Sequence, residues 1–301
     1  MQTIEPALTE EHRALLPSDA DVEWYAAHGW YLSKKLFTDQ EVDRLTAASD
    51  AFYAGARSRR LPHQPPTLAY WQPSDGDVQR HHDYVHYESD EIAAILRKPL
   101  IGAVAARLAG VREIRLFQAT MIYKPPRPGE PTNVVPWHFD RHYWQNCSSE
   151  NMLTAFIPFH DCDETMGTLT MVDGSHRWKE FGGNDTTTRH FAARDRDDLE
   201  RLLAENAEFN NAEVVKCPMV IPKGHMSFHH CRTYHGSGAN RSDRPRRAIS
   251  LHLQDGGNRF RPVTLSGGTA LKYNHDYLVR RTPDGMPDYA DPEFCPVLWR
   301  S

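Results

Sequence analysis

Apolar side chains recur at helical spacing through the first third of the chain, which predicts helices ahead of any sheet. The clearest helix is expected to begin after Thr38, because Glu41 stands three positions later and completes a capping box. Its apolar face consists of Val42, Leu45, Ala48, Phe52 and Tyr53. The pattern also predicts an earlier helix, capped at 19–21 and ended by Gly29, and a later helix over 90–109.

After Gly110 the pattern changes to short apolar runs separated by turns, which is typical of a β-sandwich or barrel. The predicted strands are 114–124, 134–139, 152–159, 168–172, 213–221, 226–231 and 246–254. Residues 57–90 lack periodicity and are interpreted as a long loop that could act as a lid. Residues 177–212 are predicted to be an insertion with one helix, and residues 256–301 are expected to wrap around the barrel.

The composition excludes several classes of function. A chain of 301 residues that is 40% hydrophobic can bury a full core, and no apolar run approaches the length of a transmembrane helix. The first residues lack the basic and apolar regions of a signal peptide, and the 5 cysteines are scattered, so a cytoplasmic protein is expected. A net charge of −5 without a basic stripe argues against a nucleic-acid partner. The 17 histidines and 7 tryptophans indicate a site with imidazoles and aromatic walls.

Candidate chemistry begins in the stretch PWHFDRHYW, which contains His138 and Asp140. Residues two apart on a strand face the same side, so this imidazole and this carboxylate can reach one metal ion. The spacing alone is not distinctive, because the chain repeats it at His81–Asp83 and His86–Glu88. We interpret these two pairs as parts of a solvated loop, with a substrate-contacting lid as the alternative.

A distant stretch supplies further candidates. His235 is followed by Gly236 and Gly238, which let the backbone pass close to a ligand. Arg246 follows 11 residues after His235 on a predicted strand, where its guanidinium can bind a carboxylate through two hydrogen bonds. A register shift of one residue would exchange Arg246 with Arg247, so the sequence leaves open which of the two faces the site.

Taken together, these motifs resemble the phytanoyl-CoA dioxygenase family of Fe(II)- and 2-oxoglutarate-dependent oxygenases. The resemblance is carried by the HxD pair, by His-Gly-Ser-Gly-x-Asn-x-Ser from His235 onward and by Arg246. It is supported by the stretches YKPP at 123–126, MGTLTMVDGSH at 166–176 and KGHMSF at 223–228. Two positions depart from the family pattern, since Asp173 replaces a usual proline and His225 a usual aspartate. The similarity covers about residues 20–255.

The resemblance implies a mainly β fold with flanking helices, namely a double-stranded β-helix, or jelly-roll barrel of the cupin type. One domain is expected over 1–301. It would consist of N-terminal helices in 19–110, a jelly-roll core in 111–255 that contains the insertion, and the C-terminal wrap.

The resemblance also implies a role for each candidate residue. Fe(II) would be held by His138, Asp140 and His235. The co-substrate 2-oxoglutarate would be bound by Arg246, Ser237, Gln118 and Phe156. The substrate would be contacted by Arg141, Tyr143, Trp144 and His82.

Family members use O2 and 2-oxoglutarate to oxidise unactivated C–H bonds, so we expect a dioxygenase that hydroxylates a small molecule. Related halogenases lack the carboxylate ligand, and the presence of Asp140 therefore favours oxygenation. Desaturation, epoxidation and ring formation use the same ligands and stay open. No CoA-binding pattern is visible, so natural-product tailoring is expected. Two alternatives are a non-redox metal-binding cupin and a zinc hydrolase, neither of which explains Arg246 and Ser237.

Overall fold

Two antiparallel β-sheets contribute to one central cavity, and helices cover the outer face of the larger sheet. The computed structural model describes residues 8–129, 133–180, 185–265 and 268–301. The strands are β1 (Trp30–Leu32), β2 (Arg80–Asp83), β3 (Glu113–Lys124), β4 (Val135–His138), β5 (Leu153–Pro158), β6 (Leu169–Val172), β7 (Lys216–Pro218), β8 (Ser227–His230), β9 (His235–Ser237), β10 (Arg246–Asp255) and β11 (Val297–Arg300). The helices are α1 (Glu10–Ala14), α2 (Asp19–His28), α3 (Asp39–Tyr53), α4 (Val85–Glu88), α5 (Asp90–Leu96), α6 (Pro99–Ala109), α7 (Asp185–Ala192), α8 (Arg196–Phe209) and α9 (His275–Leu278).

The larger sheet has the strand order β1, β8, β5, β10, β3, β11, and β2 pairs with the C-terminal half of β3. The smaller sheet has the order β4, β9, β6, β7. Neighbouring strands run antiparallel although most of them are far apart in the sequence, which is the topology of a jelly roll. The predicted fold class, a mainly β jelly roll with flanking helices, is confirmed.

The central strands of the larger sheet separate an apolar face from a polar face. On β10, Ile249 and Leu251 are fully buried in a core that they share with helices α3, α5 and α6. The alternate residues Ser250 and His252 line the cavity. Each large apolar side chain buried on the helix side stabilises the fold by about 1.5–3 kcal/mol, so this side fixes the orientation of the strand.

The single helix predicted over 90–109 is wrong, because the chain forms two helices there. Helix α5 ends at Leu96 and α6 begins at Pro99. Proline has no backbone N–H and cannot continue a preceding helix, whereas it is well tolerated at a helix start.

Three other elements differ from the prediction. Residues 57–90 include strand β2 and helix α4, and so are not only a loop. The polar insertion 177–212, of which 181–184 lie outside the described residues, contains two helices instead of one. His235 begins the separate strand β9, which is not among the predicted strands. The first and third of these differences depend on pairing with strands distant in sequence, which local periodicity does not report.

The C-terminal segment packs along the larger sheet. Strand β11 pairs with β3 at the end opposite to β2, and Leu116 N–H donates to the carbonyl of Pro296 over 3.0 Å. Tyr273 and Asn274 reach the cavity. Among the described residues, no helix combines the length and the apolar character needed to cross a lipid bilayer.

Gly29 ends α2 and connects the N-terminal helices to the strands of the candidate site. Its φ is +78°, in the left-handed region that glycine adopts without strain. Its carbonyl accepts hydrogen bonds from His230 N–H at 2.9 Å and from Thr233 Oγ1 at 2.8 Å. A Cβ at this position would lie 2.3 Å from Nδ1 of His176 and 2.7 Å from Oγ1 of Thr233. Glycine is therefore required by both conformation and space.

We predict that Gly29→Ala lowers the free energy of unfolding more than Gly110→Ala does. Both glycines end a helix with a left-handed φ, +78° and +65°, so they share a conformational penalty of about 1–2 kcal/mol. An alanine Cβ at Gly110 has no atom within 4 Å, whereas at Gly29 it collides with packed neighbours and costs about 1–3 kcal/mol more. Equilibrium denaturation measures both variants, and equal losses would contradict the packing argument.

Candidate active site

Three candidate metal ligands meet where β4 pairs with β9. His138 ends β4 opposite His235 on β9, and Asp140 follows in a short 3-10 helix. Oδ1 of Asp140 lies 4.0 Å from Nε2 of His138 and 3.7 Å from Nε2 of His235. One ligand atom from each of the three residues lies within 4.8 Å of the other two. The structure thus brings together the three residues that the sequence motifs suggested.

A backbone carbonyl orients each of the two imidazoles. Nδ1 of His138 donates to the carbonyl of Pro136 at 2.8 Å, and Nδ1 of His235 donates to the carbonyl of Thr233 at 3.0 Å. These hydrogen bonds assign the proton to Nδ1 and leave the lone pair on Nε2. Burial lowers the pKa of both rings, so both are neutral and able to bind a metal ion.

Asp140 is held through one of its two oxygens. Oδ2 accepts a hydrogen bond from Thr154 Oγ1 at 2.6 Å and another from His229 Nε2 at 3.2 Å. Burial acts to raise the pKa of Asp140, but the imidazoles of His235 and His229 hold it well below its usual value. The other oxygen, Oδ1, faces the two candidate ligand histidines.

A row of side chains across the larger sheet supports this carboxylate. Thr154 on β5 lies opposite His229 on β8 and opposite His252 on β10. Nδ1 of His252 lies 2.9 Å from Oγ1 of Thr154, so the Thr154 hydroxyl can accept from His252 while it donates to Asp140. Residues from three strands therefore hold one carboxylate in a single orientation.

These residues fit a mononuclear metal centre. Two neutral imidazoles and one carboxylate oxygen converge, while the second carboxylate oxygen is already hydrogen bonded. A set of two histidines and one carboxylate that leaves several coordination positions open is the ligand set of non-haem Fe(II) oxygenases. The observed hydrogen bonds to the outer atoms of the ligands are those expected around such a centre.

The three residues open into a cavity of about 600 Å³ that is lined by both sheets. One end of the cavity is cationic. The side chain of Arg246 is fully buried, and its Nη1 donates to the carbonyl of Gly167. Beside it, Nζ of Lys124 donates to Ser237 Oγ and to the carbonyl of Gly238, both at 2.7 Å. Burial, assisted by the charge of Arg246, lowers the pKa of Lys124 to about 6.

The register of β10 decides between the two adjacent arginines. Arg246 lies opposite Lys124 on β3 and lines the cavity. Arg247 lies on the other face of β10, where its guanidinium forms an ion pair of 2.7 Å with Asp50. Only Arg246 can therefore meet a ligand in the cavity.

Other predicted site residues also lie at the cavity. Gln118, Ser237, Tyr143 and Trp144 line it. Phe156 lies beneath the cationic end, with its ring 5.5 Å from the guanidinium carbon of Arg246. These placements agree with the expected roles, which stay predictions until ligands are measured.

Two predicted substrate contacts do not line the cavity. The guanidinium of Arg141 is buried and donates to the carbonyls of Trp144, Cys147 and Ser149, so it stabilises the loop that follows the HxD motif. His82 is buried on the other face of β2, where its Nε2 lies 2.7 Å from Oε2 of Glu88. Neither side chain is available to a molecule in the cavity.

Several cavity residues were missed by the sequence analysis. The neighbours of His82 on β2, His81 and Asp83, both line the cavity. These two residues have the same spacing as His138 and Asp140, but the sequence pattern around them favours a solvated loop. Further missed residues come from the central sheet, the insertion and the C-terminal segment, among them Thr154, His229, His252, His190, Phe191, Leu199, Tyr273 and Asn274. No local motif marks them, because distant segments place them together.

The comparison with protein families agrees with this geometry. The family model described as Phytanoyl-CoA dioxygenase (PhyH) matches residues 25–248. The peroxisomal phytanoyl-CoA dioxygenase of Bos taurus is 26% identical over 247 residues, which cover 77% of this chain and 67% of that protein. The ectoine dioxygenase of Bordetella bronchiseptica is 26% identical over 258 residues, which cover 80% of this chain and 76% of that protein.

Solved structures share the fold. The non-haem alpha ketoglutarate dependent epimerase SnoN from nogalamycin biosynthesis superposes with a TM-score of 0.68 at 22% identity, covering 96% of this chain and 99% of that chain. EctD from S. alaskensis, solved with 2-oxoglutarate and 5-hydroxyectoine, superposes with a TM-score of 0.60 at 19% identity. That superposition covers 85% of this chain and 81% of that chain.

We predict that Thr154→Val weakens metal binding about 10- to 100-fold, because it removes the hydroxyl that holds Oδ2 of Asp140. Valine keeps the shape of threonine, and Thr154→Ser, which keeps the hydroxyl, serves as the matched control. Anaerobic titration of the apo-protein with Fe(II) or Co(II) measures the dissociation constants. Equal affinities of the valine variant and the unmodified protein would show that this hydrogen bond does not position the ligand.

Proposed function

The chain belongs to the phytanoyl-CoA dioxygenase family and is an iron- and 2-oxoglutarate-dependent dioxygenase; we propose that it oxidises an unactivated C–H bond of a small organic molecule in the cavity described above. His138, Asp140 and His235 would hold the iron. Bound there, Fe(II) supplies the activation of O2, coupled to the conversion of 2-oxoglutarate into succinate and CO2.

The cationic end of the cavity is the observation that carries this proposal. Within the described residues, neither Arg246 nor Lys124 forms an ion pair with a carboxylate, although both side chains are buried. The buried guanidinium of Arg246 is costly without a counter-charge, so a bound anion is its natural partner. The same anion would favour the protonated form of Lys124, whose pKa burial lowers to about 6. A dicarboxylate fits, since one carboxylate can bind here while the other end reaches the metal ligands.

The protein residues have separate tasks in the proposed reaction. Arg246 and Ser237 would bind the distal carboxylate of 2-oxoglutarate, and Phe156 would support the guanidinium from below. Thr154 and His229 would keep one oxygen of Asp140 directed at the metal. The aromatic residues of the cavity would exclude water from the reacting C–H bond.

The alternative functions explain less of the site. A zinc hydrolase or a non-redox cupin could use the same three ligands. Neither needs a buried arginine that lines the cavity without a counter-charge. The buried guanidinium of Arg246 therefore favours the oxygenase.

We also propose a small-metabolite substrate, as in natural-product tailoring, and a cytoplasmic setting. The cavity of about 600 Å³ has the size of a small-ligand site. The named function of the epimerase SnoN supports tailoring chemistry on this fold.

The 5 cysteines are free thiols, which suits a reducing compartment. The net charge of −5 argues against a nucleic-acid partner.

The proposed function predicts a visible charge-transfer band when 2-oxoglutarate is added anaerobically to the Fe(II)-loaded protein. Addition of O2 should then yield succinate, since uncoupled turnover consumes 2-oxoglutarate even without the substrate. Asp140→Ala should abolish both signals, because it removes the only carboxylate of the proposed ligand set. Absence of the band in the unmodified protein would contradict the proposal.

Two variants at adjacent positions test whether Arg246 binds the distal carboxylate of 2-oxoglutarate. Arg246→Ala is expected to weaken 2-oxoglutarate binding by about 2–5 kcal/mol, because it removes a buried charge that pairs with the ligand. Arg247→Ala removes the same side chain from the outer face and should leave the affinity unchanged. Titration of the charge-transfer band measures both dissociation constants. A larger effect of Arg247→Ala would mean that the register of β10 is wrong.

A further inference from the structure

We infer that the substrate carries a protonated amine, or an equivalent organic cation, that binds to the carboxylate of Asp83. This inference rests on the proposed function and specifies its substrate class. Asp83 ends β2, which pairs with β3 beside the cavity. It is the only carboxylate lining the cavity besides the proposed ligand Asp140, within the part of the chain that the structure describes.

The Asp83 side chain is oriented by its neighbours and lines the cavity. Oδ1 accepts a hydrogen bond from Thr120 Oγ1 at 2.7 Å, and Thr120 in turn accepts from Gln118 Nε2 at 3.0 Å. Tyr273 O–H donates to Gln118 on the other side. The hydroxyl and the amide therefore hold the carboxylate in place without neutralising its charge.

Asp83 has no cationic partner. No arginine, lysine or histidine in residues 8–129, 133–180, 185–265 and 268–301 forms an ion pair with it, although the carboxylate is largely surrounded by protein. Burial raises the pKa of Asp83, which is the direction expected of a carboxylate that lacks a counter-charge. A bound cation would remove this penalty, as a bound anion would at Arg246.

The co-substrate cannot be that partner, because 2-oxoglutarate is itself an anion and its proposed anchor is Arg246. The substrate, as the second molecule in the cavity, is therefore the proposed partner of Asp83. Asp83 and the proposed metal ligands face the same space, since all of them line the one cavity. A molecule bound to Asp83 can therefore extend toward the metal ligands.

The aromatic walls of the cavity suit an organic cation. Tyr143, Trp144, Phe191 and Tyr273 all line the cavity. Aromatic faces attract cations and also pack against the apolar body of a ligand. Substrates that place an anionic group near Asp83 are disfavoured by the same charge.

A set of three probes that share the phenylethyl group tests the inference: 2-phenylethylamine, 2-phenylethanol and 3-phenylpropanoate. Their dissociation constants are measured by anaerobic calorimetry on the protein loaded with Fe(II) and 2-oxoglutarate. The amine is expected to bind at least about tenfold more tightly than the alcohol, because a charge-assisted hydrogen bond replaces a neutral one. The carboxylate probe is expected to bind most weakly.

Asp83→Asn keeps the shape and the hydrogen bond from Thr120 but removes the charge. In this variant the amine is expected to lose about tenfold in affinity and to match the alcohol, while the affinity for 2-oxoglutarate stays unchanged and the melting temperature does not fall. Asp50→Asn removes one negative charge outside the cavity and is the matched control, with the preference for the amine retained.

Three results would overturn the inference: no binding of the amine, equal or tighter binding of the alcohol or the carboxylate, or a preference for the amine that survives in Asp83→Asn. The proposed function fails separately, through absence of the 2-oxoglutarate band. A protein that shows the band but no preference for the amine keeps its function as a dioxygenase and loses this substrate class.

Discussion

The alternation of side-chain faces along β5 and β10 is the constraint on which the rest of the structure depends. Both strands lie at the centre of the larger sheet, and helices cover one face of it. The burial of Leu251 and its neighbours against those helices fixes which residues turn to the other face. Thr154 and Arg246 are thereby directed into the cavity, at the metal ligands and at the cationic end respectively. The apolar core on one face of the sheet thus determines the orientation of the polar side chains on the other face.

Charged groups of opposite sign lie at different places in this cavity. One end holds the buried guanidinium of Arg246 beside the buried amine of Lys124, and neither group forms an ion pair with a carboxylate among the described residues. The ligand set contributes Asp140, whose negative charge suits a divalent metal ion. A further carboxylate, Asp83, lies at the substrate side. Each group is costly to bury alone, and each becomes favourable when its own ligand binds. The empty protein would therefore be less stable than the ternary complex.

The sequence predicted the candidate ligands well and the substrate wall poorly. His138 and Asp140 were recognised because a second motif with His235 excluded a chance pairing. Arg141 was expected at the substrate, but its charge is used to hold backbone carbonyls in the loop after the HxD motif. His82 was predicted to contact the substrate, but its neighbour His81 lines the cavity instead. The sequence pattern of this segment has no periodicity and therefore does not predict the pairing of β2 with β3, which decides the face of each residue.

The sequence by itself determined the sheet-rich fold, through short apolar runs, and the identity of the proposed metal ligands, through motifs whose chemistry is local to a few residues. Only the tertiary structure decided that Arg246 faces the cavity and Arg247 the surface, because a register shift of one residue reverses every side chain of a strand. It alone placed Thr154, His229 and His252 in one row, since these residues come from three separate strands. It also revealed that Asp83 forms no ion pair among the described residues, because only the folded chain shows which charged groups lie near one another.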